Sequence, residues 1–218
     1  MEAFILLGAP GAGKGTAASR LVSRLGVRHV SSGDLLRGAV KQGTAAGVEA
    51  DGYMKRGELV PDALIGRIIA DLLASGGPDA QYLLDGFPRT VPQAEMLQKV
   101  VAAQGGRIRG AVMLDVSEEV LVDRLAGRRV CPKCSAGYHV RTLPPKVADT
   151  CDACGIPLVQ RSDDTAETVR NRLAVFRKNT EPLIEWYAAR HLLSRVDGVG
   201  GADAVAERVI RALGACRT

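Results

Sequence analysis

The fold of this chain is decided by a glycine-rich stretch near its start, Gly8-Ala9-Pro10-Gly11-Ala12-Gly13-Lys14. The stretch fits the pattern GxxxxGK and follows a short apolar run, Ala3-Phe4-Ile5-Leu6-Leu7. Apolar residues at helical spacing come next, so a buried strand, a tight turn and a helix are predicted in succession. Glycines let backbone N–H groups converge on phosphate oxygens, the helix start adds positive partial charge, and Lys14 can reach the terminal phosphates. The stretch therefore predicts a phosphate-binding loop rather than a plain turn.

Similar apolar runs recur further along the chain, and helical patterns follow them. They lie at residues 82–85 and 111–116, with a further candidate at 194–197. Another helical stripe starts just after Pro61, a residue favoured at helix starts. Alternating strands and helices predict an α/β fold whose parallel sheet is covered on both faces.

Two segments interrupt this alternation. Residues 31–60 are polar and rich in glycine, which predicts a helical insertion at the sheet edge. Residues 127–164 lose helical periodicity and gather prolines, glycines and cysteines. A helix restarts at Asp164, which forms a capping-box pattern with Glu167, and Pro182 is expected to interrupt that helix. The predicted organisation is a core of residues 1–30, 61–126 and 165–218 with insertions at 31–60 and 127–164.

The composition is that of a globular protein. The chain has 218 residues, 46% hydrophobic and 24% charged, which suits one domain with inserted parts. Its formal charge of +5 fits either nucleic-acid binding or arginines around a phosphate pocket, and charge alone does not decide. The start lacks a basic leader and its apolar run breaks at Gly8, so a soluble intracellular protein is expected.

Four of the five cysteines form two pairs, Cys131 with Cys134 and Cys151 with Cys154, while Cys216 stands alone. Their pattern C-x2-C-x16-C-x2-C has the spacing of a tetrahedral zinc ribbon. Disulfides are the alternative, disfavoured because nothing marks secretion. Four cysteine ligands leave no open position for substrate, so a structural zinc site is predicted.

The residue after the loop lysine departs from the general pattern, since Gly15 follows Lys14 and the hydroxyl is displaced to Thr16. Direct ligation of Mg²⁺ by Thr16 is therefore not expected. The same departure is typical of adenylate kinases, whose phosphate loop the run 8–16 closely resembles. The resemblance is most specific at Asp85-Gly86-Phe87-Pro88-Arg89 and spans nearly the whole chain, through residues 31–37, 57–62, 84–90, 93, 123–129, 161–164 and 167–172.

The resemblance implies a P-loop core with an AMP-binding insertion and a zinc-binding lid of the long type. It implies reversible Mg²⁺-dependent transfer, ATP plus AMP giving two ADP, with GTP:AMP transfer as the alternative. The implied ATP site comprises Gly11, Ala12, Gly13, Lys14, Gly15, Thr16, Arg124, Arg128, Gly137, Tyr138 and Gly200. The implied AMP site comprises Ser32, Arg37, Glu58, Leu59, Val60, Gly86, Phe87, Pro88, Arg89, Gln93, Arg161 and Arg172. The implied catalytic set is Lys14, Asp85, Arg89, Arg124, Arg128, Arg161 and Arg172.

The arginines also make chemical sense without the resemblance. Two nucleotides that meet through their phosphates concentrate negative charge, which fixed cations stabilise during transfer. The planar guanidinium can hold two phosphate oxygens at once. Each arginine taken singly has a structural alternative, and the i, i+4 spacing of Arg124 and Arg128 is also that of a solvated helix face.

Three further residue types bear on the chemistry. Asp85 ends a buried strand, where it can organise Mg²⁺ through water, with a helix cap or a salt bridge as the alternative. Gln93 can bind the edge of adenine or lie on a helix surface. An ionised phosphate acceptor needs no general base. The histidines are therefore expected on a strand, the lid surface and a helix surface: His29, His139 and His191.

Two other classes of protein compete with a nucleotide kinase. A nucleic-acid-binding zinc ribbon predicts exposed aromatic residues, but aromatics are only 4% of the chain and the ribbon holds only Tyr138. A P-loop switch or motor ATPase would leave the pattern around Arg89 without a role. The expected partners are ATP, AMP and ADP, with no nucleic acid or membrane, for a cytoplasmic monomer.

Overall fold

A five-stranded parallel sheet forms the centre of the computed structural model, which describes residues 1–215. The strands of this sheet are β1 (Glu2–Leu7), β2 (Arg28–Ser31), β3 (Gln81–Asp85), β4 (Arg107–Asp115) and β7 (Leu193–Asp197). Two further strands, β5 (Arg128–Val130) and β6 (Gly137–His139), form a separate small sheet. The helices are α1 (Lys14–Leu25), α2 (Ser32–Gln42), α3 (Ala45–Arg56), α4 (Asp62–Ala74), α5 (Val91–Ala103), α6 (Glu118–Ala126), α7 (Ala166–Val175), α8 (Pro182–Ala188) and α9 (Ala202–Ala215). A π-helical segment, Phe176–Thr180, joins α7 to α8. Cys216 lies outside the described residues.

The strand order β2-β3-β1-β4-β7 places the phosphate loop at the middle of the sheet. Every neighbouring pair is parallel, and Leu6 pairs with Asp85. The loop after β1 and the turn after β3 therefore emerge side by side at one edge, where ligands bind in open α/β sheets. The predicted α/β fold with a P-loop core is confirmed.

Both faces of the sheet are covered, because the central strands alternate their apolar side chains between two clusters. Ile5 and Leu84 face a cluster that includes α4, α5 and α8. Phe4 and Leu83 face the other, which includes α1, α6 and α9. Each fully buried side chain of this size contributes roughly 1.5–3 kcal/mol, so the sheet rests on two substantial cores.

The two predicted insertions have different architectures. Helices α2 and α3 fill the first. In the second, β5 and β6 pair antiparallel in a sheet of their own. The buried cluster of this second insertion holds only Cys131, Cys151 and Leu158, with a few half-buried neighbours.

Details of the chain between the lid and the C-terminus differ from the sequence prediction. Helix α7 begins at Ala166, and Thr165 is the N-cap because its side chain accepts from the N–H of Thr168. The predicted capping box at Asp164 and Glu167 is wrong, since the Asp164 carboxylate binds arginines instead. The predicted interruption at Pro182 is confirmed: the chain widens into the π-helical segment before a proline that lacks the N–H of a regular turn.

Strand β2 was not among the predicted apolar runs. It lies at the edge of the sheet and buries only Val30, so it carries no continuous apolar run. Among residues 1–215, no helix combines the length and the apolar character that crossing a bilayer requires.

Candidate active site

The phosphate loop has the backbone that its glycines predict. Gly8, Gly11 and Gly13 all have positive φ angles, of 148°, 86° and 95°. A Cβ atom on Gly11 would also lie 3.0 Å from the carbonyl oxygen of Leu121. The Lys14 ammonium group donates to the loop carbonyl oxygens of Gly8 at 2.7 Å and Ala9 at 3.1 Å. Burial lowers the pKa of Lys14 to about 8, against the opposing attraction of Asp85.

Asp85 is the last residue of β3, at the carboxyl edge of the sheet, and its side chain lies beside the start of α1. A Cβ atom on Gly15 would be 3.6 Å from the Asp85 Oδ2, and His29 Nε2 is 3.5 Å from the same oxygen. The predicted position of His29 on a strand is confirmed, since it belongs to β2. The carboxylate therefore faces the first turn of the helix that carries Lys14 and Thr16.

A cavity opens beside the turn after β3, between the sheet and the helical insertion. The Ser32 hydroxyl donates to the Gly86 carbonyl oxygen at 2.6 Å, and Arg89 Nε donates to the same oxygen at 2.7 Å. We call this space the acceptor cavity, after the AMP-binding role predicted for most of its lining residues. Asp163 lines it together with ten of the predicted AMP-site residues: Ser32, Arg37, Glu58, Leu59, Val60, Gly86, Phe87, Arg89, Gln93 and Arg172.

Gln93 is buried beside this cavity, with 3% of its surface exposed. Its Oε1 accepts from the backbone N–H of Arg89 at 2.7 Å, and its Nε2 donates to Asp62 Oδ1 at 2.6 Å. The alternative of a helix-surface residue is therefore wrong. The amide is engaged by Asp62 and the Arg89 backbone while its residue lines the cavity.

A second cavity adjoins the first at the phosphate loop. Lys14, Pro88 and Thr180 line it. The two cavities share Gly57, Leu59, Gly86, Arg89 and Arg172. Arg89 and Arg172 therefore lie where the space beside the phosphate loop meets the space beside the insertion.

An arginine and aspartate network surrounds this junction. Arg128 binds both carboxylate oxygens of Asp164, through Nε at 2.7 Å and through Nη2. Arg172 Nη1 reaches Asp164 Oδ1 at 3.2 Å and Asp163 Oδ2 at 3.0 Å. These pairs bring the lid boundary and α7 together. They also explain why Asp164 does not cap the helix.

Asp34 anchors the remaining two arginines of the acceptor side. It pairs with Arg37 at 2.6 Å and with Arg161 at 3.8 Å. Burial and the charge of Arg37 lower the pKa of Arg161 to about 10, and burial and the charge of Arg172 lower that of Arg89 to about 10. Although burial opposes its charge, Arg172 and nearby arginines hold the pKa of Asp163 below its ordinary value. The junction thus favours an anionic ligand.

Arg124 has a different position from its sequence neighbours. It lies in α6, which ends at Ala126, whereas Arg128 belongs to β5, so the two do not share a helix face. Arg124 donates to the carbonyl oxygens of Ala12 at 3.2 Å and Gly198 at 3.0 Å. It ties the phosphate loop to the segment after β7, and burial lowers its pKa.

Of the eleven residues predicted to bind ATP, only Lys14 lines either cavity in the described chain. Gly137 and Tyr138 belong to β6 in the lid, and Gly200 lies in the loop after β7. In addition, Glu58, which lines the acceptor cavity, pairs with Arg56 at 2.8 Å on the surface. The structure therefore groups the residues predicted for the AMP site more closely than those predicted for the ATP site.

The four lid cysteines form one cluster. Their Sγ atoms all lie within 4.8 Å of one another. Four thiolates at about 2.3 Å from one ion would stand about 3.8 Å apart, so the donor set fits a tetrahedral metal. Each pair sits on a matching turn, in which a residue with positive φ donates to the first cysteine's carbonyl oxygen: Ser135 to Cys131 at 3.0 Å and Gly155 to Cys151 at 2.8 Å.

Tyr138 is attached to this cluster. Its hydroxyl donates to Cys151 Sγ at 3.5 Å and accepts from the Asp152 N–H at 2.9 Å. The hydrogen bond lowers the pKa of the Cys151 thiol to about 6, which favours the thiolate form that binds metals. The tyrosine side chain thus braces the cysteine cluster.

His139 is a lid residue that the sequence prediction misplaced. It was expected on the lid surface, but only 6% of it is exposed. Its Nδ1 accepts from the N–H groups of Arg141 and Thr142, each at 3.1 Å, so the Nε2–H is left to donate to the Asp123 carbonyl oxygen at 3.3 Å. The ring therefore joins the lid to the end of α6. His191, expected on a helix surface, lies exposed in the turn after α8.

Two residues at the site were not found from the sequence. Asp62 orients Gln93, and Thr180 donates from Oγ1 to the Arg89 carbonyl oxygen at 2.9 Å. Asp62 occupies the first turn of α4, where an acid is ordinary. Thr180 belongs to a polar run before Pro182 that carries no motif of its own.

Comparison with known proteins gives a consistent result. A family model described as adenylate kinase matches residues 6–192. An adenylate kinase of Geobacter sp. (strain M21) is 49% identical over 210 residues, which cover 96% of this chain and 98% of that relative. The adenylate kinase of Carboxydothermus hydrogenoformans is 46% identical over 96% of this chain and 98% of its own length. The adenylate kinase of Lachnospira eligens is 44% identical over 97% of this chain and 99% of its own length.

Proposed function

The chain belongs to the adenylate kinase family, and from that premise we propose that its two adjoining cavities hold ATP and AMP with their phosphates meeting at Arg89 and Arg172. The activity of the family is reversible phosphoryl transfer, in which ATP and AMP give two ADP. The observation that carries the proposed arrangement is the sharing of Arg89 and Arg172 between both cavities. Two cations at the junction can hold the transferring group from both sides.

The donor side is built on the phosphate loop. Its glycines turn backbone N–H groups inward, and Lys14 can exchange its bonds to loop carbonyl oxygens for bonds to the terminal phosphates of ATP. Bound Mg²⁺ would neutralise charge between the phosphate oxygens, with Asp85 holding it through its water shell. Arg124 and Arg128 complete the donor side, and Gly137, Tyr138 and Gly200 are proposed to contact the donor base once the lid closes.

The acceptor side is built on the insertion and the turn after β3. Ser32 and Arg89 are fixed on the Gly86 carbonyl oxygen, so Arg89 keeps its terminal nitrogens for the AMP phosphate. Arg37 and Arg161, which share Asp34, supply further positive charge. Adenine is proposed to lie among Leu59, Val60, Phe87 and Gln93.

Transfer needs positioning more than proton movement. The AMP phosphate carries its own negative charge, because its second ionisation lies near pH 6 by analogy with phosphorylated side chains, so it attacks without a general base. Lys14, Arg89 and Arg172 stabilise the charge that spreads over the transferring group. Their fixed positions in a buried crevice avoid reorganisation during the step.

The proposed division of the chain is an AMP-binding part at residues 31–60, a lid at residues 127–164 and a core formed by the remaining residues. The lid is proposed to exclude water during transfer. Closure would protect ATP from hydrolysis before AMP arrives. The cysteine cluster is proposed to hold structural Zn²⁺, since four thiolates saturate a tetrahedral ion and leave no position for substrate.

The proposed working form is a cytoplasmic monomer. Clustered cysteine thiols persist in reducing compartments. Light scattering of the purified protein tests the monomer directly.

A coupled assay tests the proposed substrates. ADP formation is measured with ATP and each nucleoside monophosphate in turn, and then with ATP and GTP as donors at equal concentration. AMP should be preferred as acceptor and ATP as donor. A preference for another monophosphate would contradict the acceptor assignment, and a preference for GTP would favour GTP:AMP transfer.

A further inference from the structure

Thr180 holds Arg89 from the side opposite Gln93. Its hydroxyl donates to the Arg89 carbonyl oxygen at 2.9 Å, while the Arg89 N–H donates to Gln93 Oε1 at 2.7 Å. Both partners are buried, with 8% of Thr180 and 3% of Gln93 exposed. Side chains from two different elements therefore fix both backbone polar groups of the same arginine.

The side chain of Arg89 depends on this backbone anchor. Its Nε is bound to the Gly86 carbonyl oxygen three residues earlier, which holds the guanidinium close to its own turn. Among residues 1–215, Arg89 forms no salt bridge, so no carboxylate fixes its direction. The direction in which its terminal nitrogens point is thus set by the turn, and the turn is set by Thr180 and Gln93.

Thr180 is the last residue of the π-helical segment. The N–H of Glu181 donates to the Phe176 carbonyl oxygen at 3.0 Å, five residues back, which widens the turn. Asn179 Nδ2 donates to the Val175 carbonyl oxygen at 3.1 Å and so satisfies a group at the widened turn. Such widened turns frequently occur at functional sites.

This segment continues directly from α7, the helix that carries Arg172. Arg172 is held on Asp163 and Asp164, and Thr180 lies eight positions later on the same continuous helical path. Thr180 lines the second cavity together with Arg89 and Arg172. One structural unit therefore supports both arginines that lie between the two cavities.

We propose that Thr180 is a positioning residue for phosphoryl transfer, which fixes Arg89 relative to Arg172 through its hydrogen bond to the Arg89 carbonyl oxygen. The inference rests on the proposed role of Arg89 at the AMP phosphate. Although Thr180 lines the second cavity, its hydroxyl is engaged by the Arg89 carbonyl oxygen, so it acts through Arg89 rather than on a nucleotide.

Thr180→Val tests the hydroxyl with little change of volume. The substitution leaves a buried carbonyl oxygen without its partner and frees the turn, so kcat/KM for AMP should fall about tenfold. KM for ATP should stay within about twofold, because Lys14 and the phosphate loop are untouched. Thr180→Ser keeps the hydroxyl and should restore kcat/KM for AMP to within about threefold of the unmodified protein. If Thr180→Val does not fold, Thr180→Ala removes the same hydroxyl without adding a methyl group.

Tyr82→Phe is the matched control. Tyr82 is buried on β3, lines neither cavity, and donates its hydroxyl to the backbone carbonyl oxygen of Leu73 at 3.5 Å. Loss of this hydroxyl should lower Tm without an AMP-specific effect. An AMP-specific loss of the same size in this variant would show that Thr180 acts only through general stability, which overturns the proposal.

Arg89→Ala separates failure of the inference from failure of the proposed function. If Arg89→Ala leaves KM and kcat for AMP unchanged, the placement of Arg89 on the acceptor side is wrong. If Arg89→Ala impairs AMP use but Thr180→Val does not, or Thr180→Ser fails to restore it, the positioning role is wrong. In the double variant, Thr180→Val should add no more than about a twofold loss to Arg89→Ala, because residues that act through one another are not additive.

Discussion

The phosphate crevice of this protein gathers arginines and Lys14 and the lid gathers cysteine sulfurs, but different forces hold the two sets in place. In the crevice, arginines and Lys14 stand on a sheet that is packed by apolar clusters on both faces. In the lid, the four cysteines lie in a small unit whose buried cluster is only Cys131, Cys151 and Leu158. The two apolar clusters therefore support the crevice, whereas the lid depends on metal binding under the proposed zinc site.

The comparison separates chemistry from stability. A substitution in the crevice removes positive charge from beside the transferring group but leaves the two large apolar clusters intact. A change at the cysteine cluster removes the main constraint on the lid but touches no residue at the junction of the cavities. The two regions should therefore respond to substitution in different measurements.

Lys14→Met should produce the largest effect. The ammonium group is needed most as the phosphoryl group leaves ATP, so kcat should fall by roughly 10²–10³-fold. Burial already disfavours the charge of Lys14, so Tm should not fall. The coupled assay and calorimetry measure the two quantities, and Lys99→Met on the exposed face of α5 is the control. Near-normal turnover would show that the glycine-rich stretch is not the donor site.

Arg89→Ala should act on one nucleotide only. Loss of the guanidinium at the acceptor cavity should lower kcat/KM for AMP by roughly 10²-fold, as the loss of one preorganised donor does elsewhere. The affinity for ATP, measured by calorimetry without AMP, should change little. Equal losses for ATP and AMP would contradict its assignment to the acceptor side.

Removal of the metal should affect stability and spare transfer. Cys131→Ser combined with Cys134→Ser removes two ligands, so the lid should lose its metal and melt well before the core. Elemental analysis should find about one zinc per chain before the substitution and none after it. Activity at low temperature should largely survive, and Lys133→Ala in the same turn should change neither metal content nor Tm. A lid that stays folded without metal while transfer is abolished would reverse the division between the two regions.

A pH effect on the lid should be the smallest of these. Burial, with the charges of Arg124 and Arg129, lowers the pKa of His139 below its ordinary 6.5. A proton on Nδ1 would oppose the N–H groups of Arg141 and Thr142. The stabilisation by neutral His139 should therefore be complete above pH 6.5 and be lost as the pH falls through the lowered pKa.

Thermal unfolding between pH 7.5 and 5.5 measures this effect, with a shift of about 2–4 °C in Tm for each kcal/mol. Asp123 and Arg141 contact the ring through backbone groups and pair with each other through their side chains. Because metal loss also follows acidification, the test is the difference between the unmodified protein and His139→Gln, which does not titrate. His191→Gln, on the exposed turn after α8, should behave like the unmodified protein. An unchanged pH profile in His139→Gln would contradict the role of His139 in joining the lid to α6.

The sequence by itself determined the features that depend on local pattern. A glycine-rich loop between an apolar run and a helix requires particular backbone angles, and three glycines have the positive φ angles expected. The spacing of the cysteine pairs likewise allows only a few turns, and the four Sγ atoms converge in the structure. The sequence was sufficient for both features, because the residues of the loop are adjacent in the chain and each cysteine pair lies within a single short turn.

Only the tertiary structure decided how distant polar groups pair. Asp164 matches a capping box locally, but Arg128 and Arg172 reach its carboxylate across the fold, and charge-assisted bonds in a buried site outweigh a helix cap. Gln93, His139 and Thr180 are buried for similar reasons, since each satisfies polar groups that other elements bring to it. Such partners depend on packing between segments, so the sequence supplies the side chains while the fold selects which of them meet.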